Sequence, residues 1–377
     1  MSSYSQRSLA ILLLSLISFV GSGCGLVLTP LSRVKAKDHA SNQHASKQPT
    51  GAPDRPVVPN LLADASTNWN AFAEYGAQIR LYLDQEKFDQ IDAIADIARA
   101  GKLRFSGGAW KLHKLYQGLC KPANSRIATD DLWLRHIAHL KKWTELKPES
   151  ITARVGLAEA YTEYAWHARG TGFASTVKED SWEVFEQRIA MAEKILNGAK
   201  KFKAKCPHWY DVMQTVALGQ HWESDRYDAL FEEAIRFEPD YHYFYSTKAQ
   251  YLLPRWYGEE GDWERFADDV YKRLKGKDGS IIYYVIASDL AYYYKDRTFF
   301  TDTQIDWPRM KQGFADMEER YGTSMRNLND FCRIAGQSGE KAFTRSLLAR
   351  IGDNWDPETW TNKEYFEHYK AWANSAD

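Results

Sequence analysis

Apolar residues recur at three- and four-residue steps through most of the chain beyond position 61. One such run covers residues 69–83 and a second covers 88–98, with the polar residues 84–86 between them. Apolar positions at this spacing lie on one face of a helix. The two runs therefore predict amphipathic helices that are joined by a tight turn and packed as a hairpin.

Later segments carry the same helical pattern. They are residues 132–143, 151–166, 182–202 and 281–291. The last of them begins with an Ile- and Tyr-rich stretch that could form a strand, but its apolar positions continue at helical spacing to its end. The sequence therefore predicts an all-α fold.

One unit has the spacing of a known helical repeat. Phe231, Ala234 and Pro239 match the second helix of a tetratricopeptide repeat, in which Phe and Ala pack on the first helix and Pro ends the unit. Pro207 lies 32 residues earlier, close to the period of about 34 residues in that repeat, and Pro148 lies 59 residues before Pro207. The spacing predicts a degenerate tetratricopeptide-like solenoid of helical hairpins, with a concave surface for partners.

Residues 1–24 have the character of an export signal. Arg7 precedes the uncharged apolar run 9–20, and small residues then precede Cys24. The segment resembles a bacterial lipoprotein signal, although Gly21 stands where such signals usually have Leu. The resemblance implies that Cys24 is lipidated and that the protein faces the periplasm. It is also compatible with sorting to the outer membrane. The alternative is an uncleaved anchor, because the chain carries no charge from Leu9 to Leu31 and could span a bilayer of about 30 Å.

Residues 33–60 are rich in Ser, Lys, His, Asn, Gln and Pro. Such a composition cannot bury enough apolar surface to offset the entropy lost on ordering. We therefore expect a flexible linker at 25–60 and a helical repeat-like domain at 61–377.

Charge and aromatic content narrow the classes of function. The chain has 49 Lys and Arg residues against 50 Asp and Glu residues, and this balance argues against a nucleic-acid partner. Aromatic residues make up 14% of the chain, and many fall on the apolar faces of the predicted helices, where they indicate packing. We find no His-Glu-x-x-His, Gly-x-Ser-x-Gly, phosphate-binding loop or Cys-x-x-Cys motif. We therefore predict no catalytic residue and no cofactor.

The densest polar and aromatic cluster lies on the helix predicted over 151–166. Glu159, Glu163 and Trp166 follow one another at four- and three-residue steps, and Arg169 lies a further three residues on. A carboxylate pair beside Trp and Arg can bind a polar ligand or a peptide. The same residues can equally form buried ion pairs that hold this helix to its neighbours.

A second candidate for binding is formed by Arg255 and Trp256, at a turn that is marked by Pro254. A guanidinium group on an indole ring can bind a ligand. It is also a common structural contact, so both interpretations stay open.

Two pairs of residues could bind a metal or form a disulfide. His136 and His139 are three residues apart and could face a metal together, although ordinary surface histidines have the same spacing. Cys120 and Cys206 lie at the edges of predicted helices, where an exported protein could bridge them. We predict no metal site, and we hold the bridge as a hypothesis.

Four stretches resemble a bacterial family known as a domain of unknown function. They are residues 88–92, 164–170, 251–258 and 350–355. The resemblance covers most of residues 80–360 and implies a helical, tetratricopeptide-like fold and export. It implies no chemistry and no catalytic residues.

These expectations combine into a leading hypothesis and a rival. The leading hypothesis is an exported, lipid-anchored, non-enzymatic scaffold whose groove binds a protein or a peptide. The rival is an all-α toroid that binds or cleaves glycans, with paired carboxylates in an aromatic cleft. An open superhelix would favour the scaffold, and a closed ring around such a cleft would favour the rival.

Overall fold

The fold is taken from a computed structural model that describes residues 70–170, 176–202, 205–294 and 298–375. The predicted signal (1–24), Cys24 and the predicted linker (25–60) lie outside the described residues. The helices, in chain order, are α1 (Ala71–Asp84), α2 (Phe88–Ala100), α3 (Lys111–Leu119), α4 (Asp130–Leu146), α5 (Ile151–Arg169), α6 (Glu179–Ala199), α7 (Pro207–Gly219), α8 (Ser224–Phe237), α9 (Tyr243–Tyr251), α10 (Asp262–Leu274), α11 (Gly276–Leu290), α12 (Phe299–Asp302), α13 (Trp307–Tyr321), α14 (Met325–Gln337), α15 (Lys341–Ile351), α16 (Pro357–Trp360) and α17 (Lys363–Asn374).

This architecture confirms the predicted all-α, helical-hairpin fold. The first predicted hairpin is α1 and α2, and the segment considered as a strand is the middle of α11. Within the described ranges, the extended pairing consists of a single bridge between Arg104 and Trp110.

Several helix starts follow from local side-chain chemistry. Ser150, Asp306 and Asn362 each precede a helix and accept a hydrogen bond from the backbone N–H three residues later. Such caps satisfy one of the backbone donors that the first helical turn leaves without a partner. Pro207 opens α7, where its fixed backbone angle suits the first turn and its missing N–H is not needed.

The hairpins stack as a solenoid with two rows of helices. In one row, α1, α3, α5, α7, α9, α11 and α13 each pack against the next member. The other row includes α2, α4, α8 and α10, which pack on the helices beside them in the chain. Each hairpin therefore buries its apolar face against its neighbours, as repeat architectures do.

The buried apolar side chains form two clusters. The first extends from Tyr75 to Leu230 with Tyr251 added, and the second lies mainly between Phe231 and Ala373. Trp110 is the exception, because it belongs to the second cluster although it lies in the sequence of the first.

Trp110 ends the closing segment, residues 101–110, which joins the early part of the solenoid to the late part. Gly107 N–H donates to the carbonyl oxygens of Tyr321 and Gly322 at 3.2 and 2.9 Å, and Asn327 Nδ2 donates to Gly107 O at 2.9 Å. Gly107 has φ +79°, and a Cβ there would lie 2.6 Å from the Asn327 and Ser324 side chains. Only glycine permits this approach, by which the solenoid closes on itself.

The hypothetical Cys120–Cys206 bridge is wrong. Cys120, Cys206 and Cys332 are all free and buried. Cys206 Sγ lies 3.4 Å from the hydroxyl of Tyr116, and Cys120 Sγ donates to the carbonyl oxygen of Gln117 at 3.5 Å. Position at the edge of a helix did not bring the two sulfurs together, because each thiol faces a different partner.

In the part of the chain that the structure describes, none of the helices combines the length and the apolar character needed to cross a bilayer.

Candidate functional site

Closure of the solenoid leaves a central cleft with a volume of about 1340 Å³. Its wall includes side chains of α1, α3, α5, α9, α11 and α14, together with parts of the connections between helices. The closing segment contributes residues 107–109. The cleft is therefore bounded by residues that are far apart in the sequence.

Lysine and arginine outnumber acidic residues on the described part of the wall. The cations are Arg80, Lys114, Lys121, Arg126, Arg326 and Arg333, and the anions are Glu163, Asp289, Asp330 and Glu358. With six cations and four anions, the wall has a formal charge of +2. A ligand that carries negative charge therefore matches it electrostatically.

Lys114 is a buried cation on this wall, 8% exposed. Its Nζ donates to Gln117 Oε1 at 3.0 Å and lies 4.8 Å from the centre of the Phe72 ring. Burial, together with the charge of Arg326, lowers the pKa of Lys114 to about 8. The carboxylates of Asp289, Asp330 and Glu358 act in the opposite direction.

Arg326 is held by acidic partners on the same wall. Its guanidinium lies 3.1 Å from Asp330, 3.0 Å from Asp356 and 2.6 Å from Glu358. The Asp356 side chain is fully buried, and its oxygen accepts from the Glu358 N–H at 2.9 Å. This network fixes Arg326 in the wall and balances its charge. Lys114 has fewer acidic contacts than Arg326, so its charge is less balanced.

Asp289 lines the cleft and is exposed to it, and desolvation by the surrounding protein raises its pKa to about 6. The Ser246 hydroxyl donates to Asp289 Oδ2, and this bond and the charge of Lys114 favour the ionised form. Asp330 disfavours it. Asp289 therefore changes charge near neutral pH, which few carboxylates do.

Aromatic and apolar groups complete the surface of the cleft. The lining tyrosines are Tyr243, Tyr284, Tyr292, Tyr293, Tyr294 and Tyr365. Ile127 lines it as well and is 83% exposed. Together with Lys and Arg, these side chains can contact both the charged and the apolar parts of one ligand.

The structure separates two of the predicted site residues, Glu163 and Glu159. Glu163 lines the cleft, and its Oε2 lies 3.7 Å from Lys121 Nζ. The Glu159 side chain is mostly buried, and its Oε2 accepts from His208 Nε2 at 3.0 Å. Because the two carboxylates have different partners, they do not act as a pair on one ligand.

The structure brings together the two aromatic clusters that the sequence pointed to. Trp166 and Trp256 lie edge to face with their ring centres 5.6 Å apart. The Arg169 guanidinium lies 5.4 Å from the Trp166 ring, 5.1 Å from the Trp182 ring and 5.8 Å from the Trp256 ring. Burial and the charge of Arg255 lower the pKa of Arg169. The chain thus places its own guanidinium among these indoles, a contact that stabilises the packing of α5 on its neighbours.

Arg255 differs from Arg169 in being exposed. Its guanidinium lies 5.9 Å from the Trp256 ring and 5.4 Å from the Tyr293 ring, and Tyr293 lines the cleft. Of the predicted residues, Glu163 and Trp166 therefore line the cleft, and Arg255 contacts one of its lining tyrosines.

A cluster that the sequence did not reveal lies behind Glu159. It consists of His113 on α3 with His208 and Asp211 on α7. Asp211 Oδ2 is 3.5 Å from His113 Nδ1 and 3.4 Å from His208 Nδ1. His208 and Asp211 are three residues apart at the start of α7, a spacing that places both on one helical face. Nothing in the sequence placed His113, almost a hundred residues earlier, beside them.

Burial and neighbouring charges shift all three groups. Burial lowers the pKa of His113 to about 3. Burial also opposes ionisation of Asp211, but hydrogen bonds and charges from the histidines and Thr247 outweigh it and lower the pKa of Asp211. For His208 burial is outweighed by Glu159 and Asp211, which raise its pKa.

The predicted histidine pair does not converge in this way. His136 is buried, its Nε2 is 2.7 Å from Leu119 O, and burial lowers its pKa to about 4. His139 Nδ1 lies 3.7 Å from Asp84 Oδ1. The interpretation of both as surface histidines is wrong for His136, because its ring points into the interior between α4 and α3.

Comparison with protein-family models, curated proteins and solved structures finds no match for this chain. The resemblance to a domain of unknown function stays a prediction.

Proposed function

We propose that the chain is an exported, lipid-anchored scaffold without enzymatic activity, and that its central cleft binds an extended, acidic peptide segment of a partner protein. The observation that carries the proposal is the cleft itself, which is large, cationic and lined with tyrosines. The proposal also includes lipid anchoring at Cys24 and a periplasm-facing location. These two parts are supported only by the sequence of the N-terminal signal.

Size favours an extended ligand. Pockets for small molecules have volumes of about 300–1,000 Å³. At about 1340 Å³, this cleft is larger. The concave wall of a helical solenoid is also the surface with which such folds bind extended partners.

Charge and side-chain type favour an acidic peptide. Lys114 and Arg126 have no acidic partner within salt-bridge distance among the described residues, so they offer positive charge to a ligand. Tyr and Arg are the side chains that contribute most to protein recognition. An exposed Ile127 adds an apolar contact that a peptide side chain can use.

The rival function, glycan cleavage, is favoured by two observations. Asp289 has a pKa of about 6 and shares the cleft with Asp330 and Glu358. General acid catalysis on a glycosidic bond uses a carboxyl group with a raised pKa together with a second carboxyl group, and the cleft contains both kinds of group. Closure of the solenoid is also the geometry expected of this rival.

Binding is tested with a display library of random dodecapeptides selected on the purified full-length chain. We expect acidic sequences to be enriched, and Lys114→Met to weaken their binding by about tenfold or more in fluorescence anisotropy, since a desolvated ion pair contributes at least about 1.4 kcal/mol. Lys142→Met is the matched control, because Lys142 pairs with Glu86 outside the cleft. Enrichment of no sequence class, or an equal loss in both variants, contradicts the proposal. Release of reducing ends from bacterial cell-wall glycan strands supports the rival.

The affinity for an acidic peptide should fall in two steps as the pH rises. Asp289 gains its negative charge as pH rises through about 6, and Lys114 loses its positive charge as pH rises through about 8. Both changes make the cleft less positive, so both weaken binding. In titrations between pH 5 and 9, Asp289→Asn should remove the lower step and Lys114→Met the upper one. Binding that does not vary with pH in the wild type would refute the role of both residues.

A further inference from the structure

His113, His208 and Asp211 place one oxygen and two nitrogen atoms around a common point. Their ligand atoms all lie within 4.8 Å of one another. From this geometry we infer that the three side chains form a binding site for a divalent transition-metal ion, with Zn²⁺ the ion that fits best. The inference is independent of the peptide proposed for the cleft.

The spacing of the donor atoms agrees with a tetrahedral ion. Zn²⁺ binds imidazole nitrogen and carboxylate oxygen at about 2.0–2.2 Å, which puts two ligand atoms of a tetrahedron about 3.3–3.5 Å apart. Asp211 Oδ2 lies 3.5 Å from His113 Nδ1 and 3.4 Å from His208 Nδ1. The two edges that meet at the oxygen therefore have the required length before any rearrangement.

Hydrogen bonds orient two of the three ligands. Glu159 Oε2 is 3.0 Å from His208 Nε2, so a proton on Nε2 leaves Nδ1 with its lone pair. Nδ1 lies 2.9 Å from the Tyr241 hydroxyl and 3.4 Å from Asp211 Oδ2, so an ion bound there would replace the Tyr241 hydroxyl at this nitrogen. Thr247 Oγ1 donates to Asp211 Oδ1 at 3.0 Å, which leaves Oδ2 for the ion. A carboxylate behind a histidine ligand and a donor behind a carboxylate ligand are typical of metal sites.

The third ligand has a nitrogen with a weak partner. His113 Nδ1 is buried, and its contact with Asp211 Oδ2 is long for a hydrogen bond at 3.5 Å, while its ring stacks on Tyr243 with centres 3.5 Å apart. A buried polar atom that lacks a good hydrogen bond costs about 1–3 kcal/mol, and a metal bond would offset that cost. A divalent cation would also balance the two buried carboxylates, Asp211 and Glu159.

The donor set selects the ion and its coordination. Imidazole nitrogens with one carboxylate suit Zn²⁺, Co²⁺ and Ni²⁺, whereas Ca²⁺ and Mg²⁺ prefer oxygen ligands alone. With three protein ligands, a tetrahedral ion keeps one position for water. His113 and Thr247 also line the cleft, so the site lies directly behind its wall.

The test is a titration of the purified full-length chain, stripped with EDTA, with Zn²⁺ against a chromophoric chelator and with Co²⁺ by visible spectroscopy. We expect about one equivalent of each ion, and intense Co²⁺ bands of the tetrahedral type. His113→Phe, which keeps a ring to stack on Tyr243, and Asp211→Asn should each abolish this binding. His136→Gln is the control, because His136 bonds to Leu119 O away from the cluster. His39 and His44 in the predicted linker could also bind the added ions, so the titration is repeated with a variant in which both are replaced.

Graded variants guard against loss of folding. Glu159→Gln and Thr247→Val keep the three ligands and change only the groups behind them, so each should weaken Zn²⁺ binding by about 10–100-fold while circular dichroism stays unchanged. No binding by the wild type, octahedral Co²⁺ bands, or full binding by folded Asp211→Asn would each overturn the site.

Discussion

Replacement of Trp110 by Ala is expected to lower the free energy of unfolding by about 3–5 kcal/mol. Trp110 is 1% exposed, and its Nε1 donates to Asp240 O at 3.0 Å. The Arg104 guanidinium lies 4.5 Å from its ring and 4.7 Å from the ring of Tyr321. Loss of the indole leaves a cavity, removes the hydrogen bond and deprives Arg104 of one of its two aromatic contacts.

Urea unfolding followed by circular dichroism measures this effect. Because Trp110 connects the early part of the chain to the second apolar cluster, we expect one unfolding transition in the wild type and two in the alanine variant. Trp110→Phe keeps most of the apolar contact and should cost only about 1–2 kcal/mol, mainly through the lost bond to Asp240. One transition at an unchanged midpoint in Trp110→Ala would show that the closing segment does not hold the two parts together.

The second large effect is expected for Gly313→Ala, where α13 crosses α11. A Cβ on Gly313 would lie 2.1 Å from Ser280 O and 2.6 Å from Tyr284 Cβ, so the two helices would have to move apart. Such overpacking costs about 1–3 kcal/mol, and the contact with backbone places this case at the upper end. Separation would also weaken the hydrogen bond from Ser280 to Asp316.

Gly198→Ala is the matched control in a helix with open space. Nothing lies within 4 Å of a Cβ at Gly198 near the end of α6, so helix propensity alone predicts a gain of up to about 1 kcal/mol. Thermal and urea unfolding of both variants should therefore shift in opposite directions. Equal shifts would indicate that the α11–α13 crossing tolerates a side chain.

The helices could be predicted from the sequence because their signals are local. Apolar spacing placed α1, α2, α4 and α5 within a few residues of their observed bounds. The Ile- and Tyr-rich part of α11 could be predicted as helix because the apolar residues that follow it continue at helical spacing. In each case, residues within one or two turns carry the information.

The cleft could not be predicted, since it depends on contacts between distant residues. Gly107 and Asn327 are 220 positions apart, and neither belongs to a motif. Glu163 and Trp166 were candidates from helical spacing, yet the same spacing included Glu159, which turns to His208 instead. Periodicity identifies a helix face, but the neighbouring helices decide which part of that face meets the cleft.

Histidines illustrate the same limit. His136 and His139 share a helical face, but one side chain reaches Leu119 O and the other Asp84. His113 and His208 lie on different helices and meet only because α3 and α7 both pack on α5. A metal motif that is divided between two hairpins leaves no spacing in the sequence to recognise.

The closing segment also has a consequence for the order in which the chain folds. Its contacts with residues 321–327 form only after more than two hundred intervening residues have been synthesised and packed. Closing so long a loop is entropically costly, so this contact is expected to form late, after the local hairpins. Trp110 has its own partners in the second cluster far along the chain, because its ring packs on Tyr241 with centres 5.0 Å apart, and the growing chain exposes it until Tyr241 has been synthesised. Aggregation during biosynthesis should therefore be most sensitive to residues 101–110, although they contribute only a small part of the folded surface.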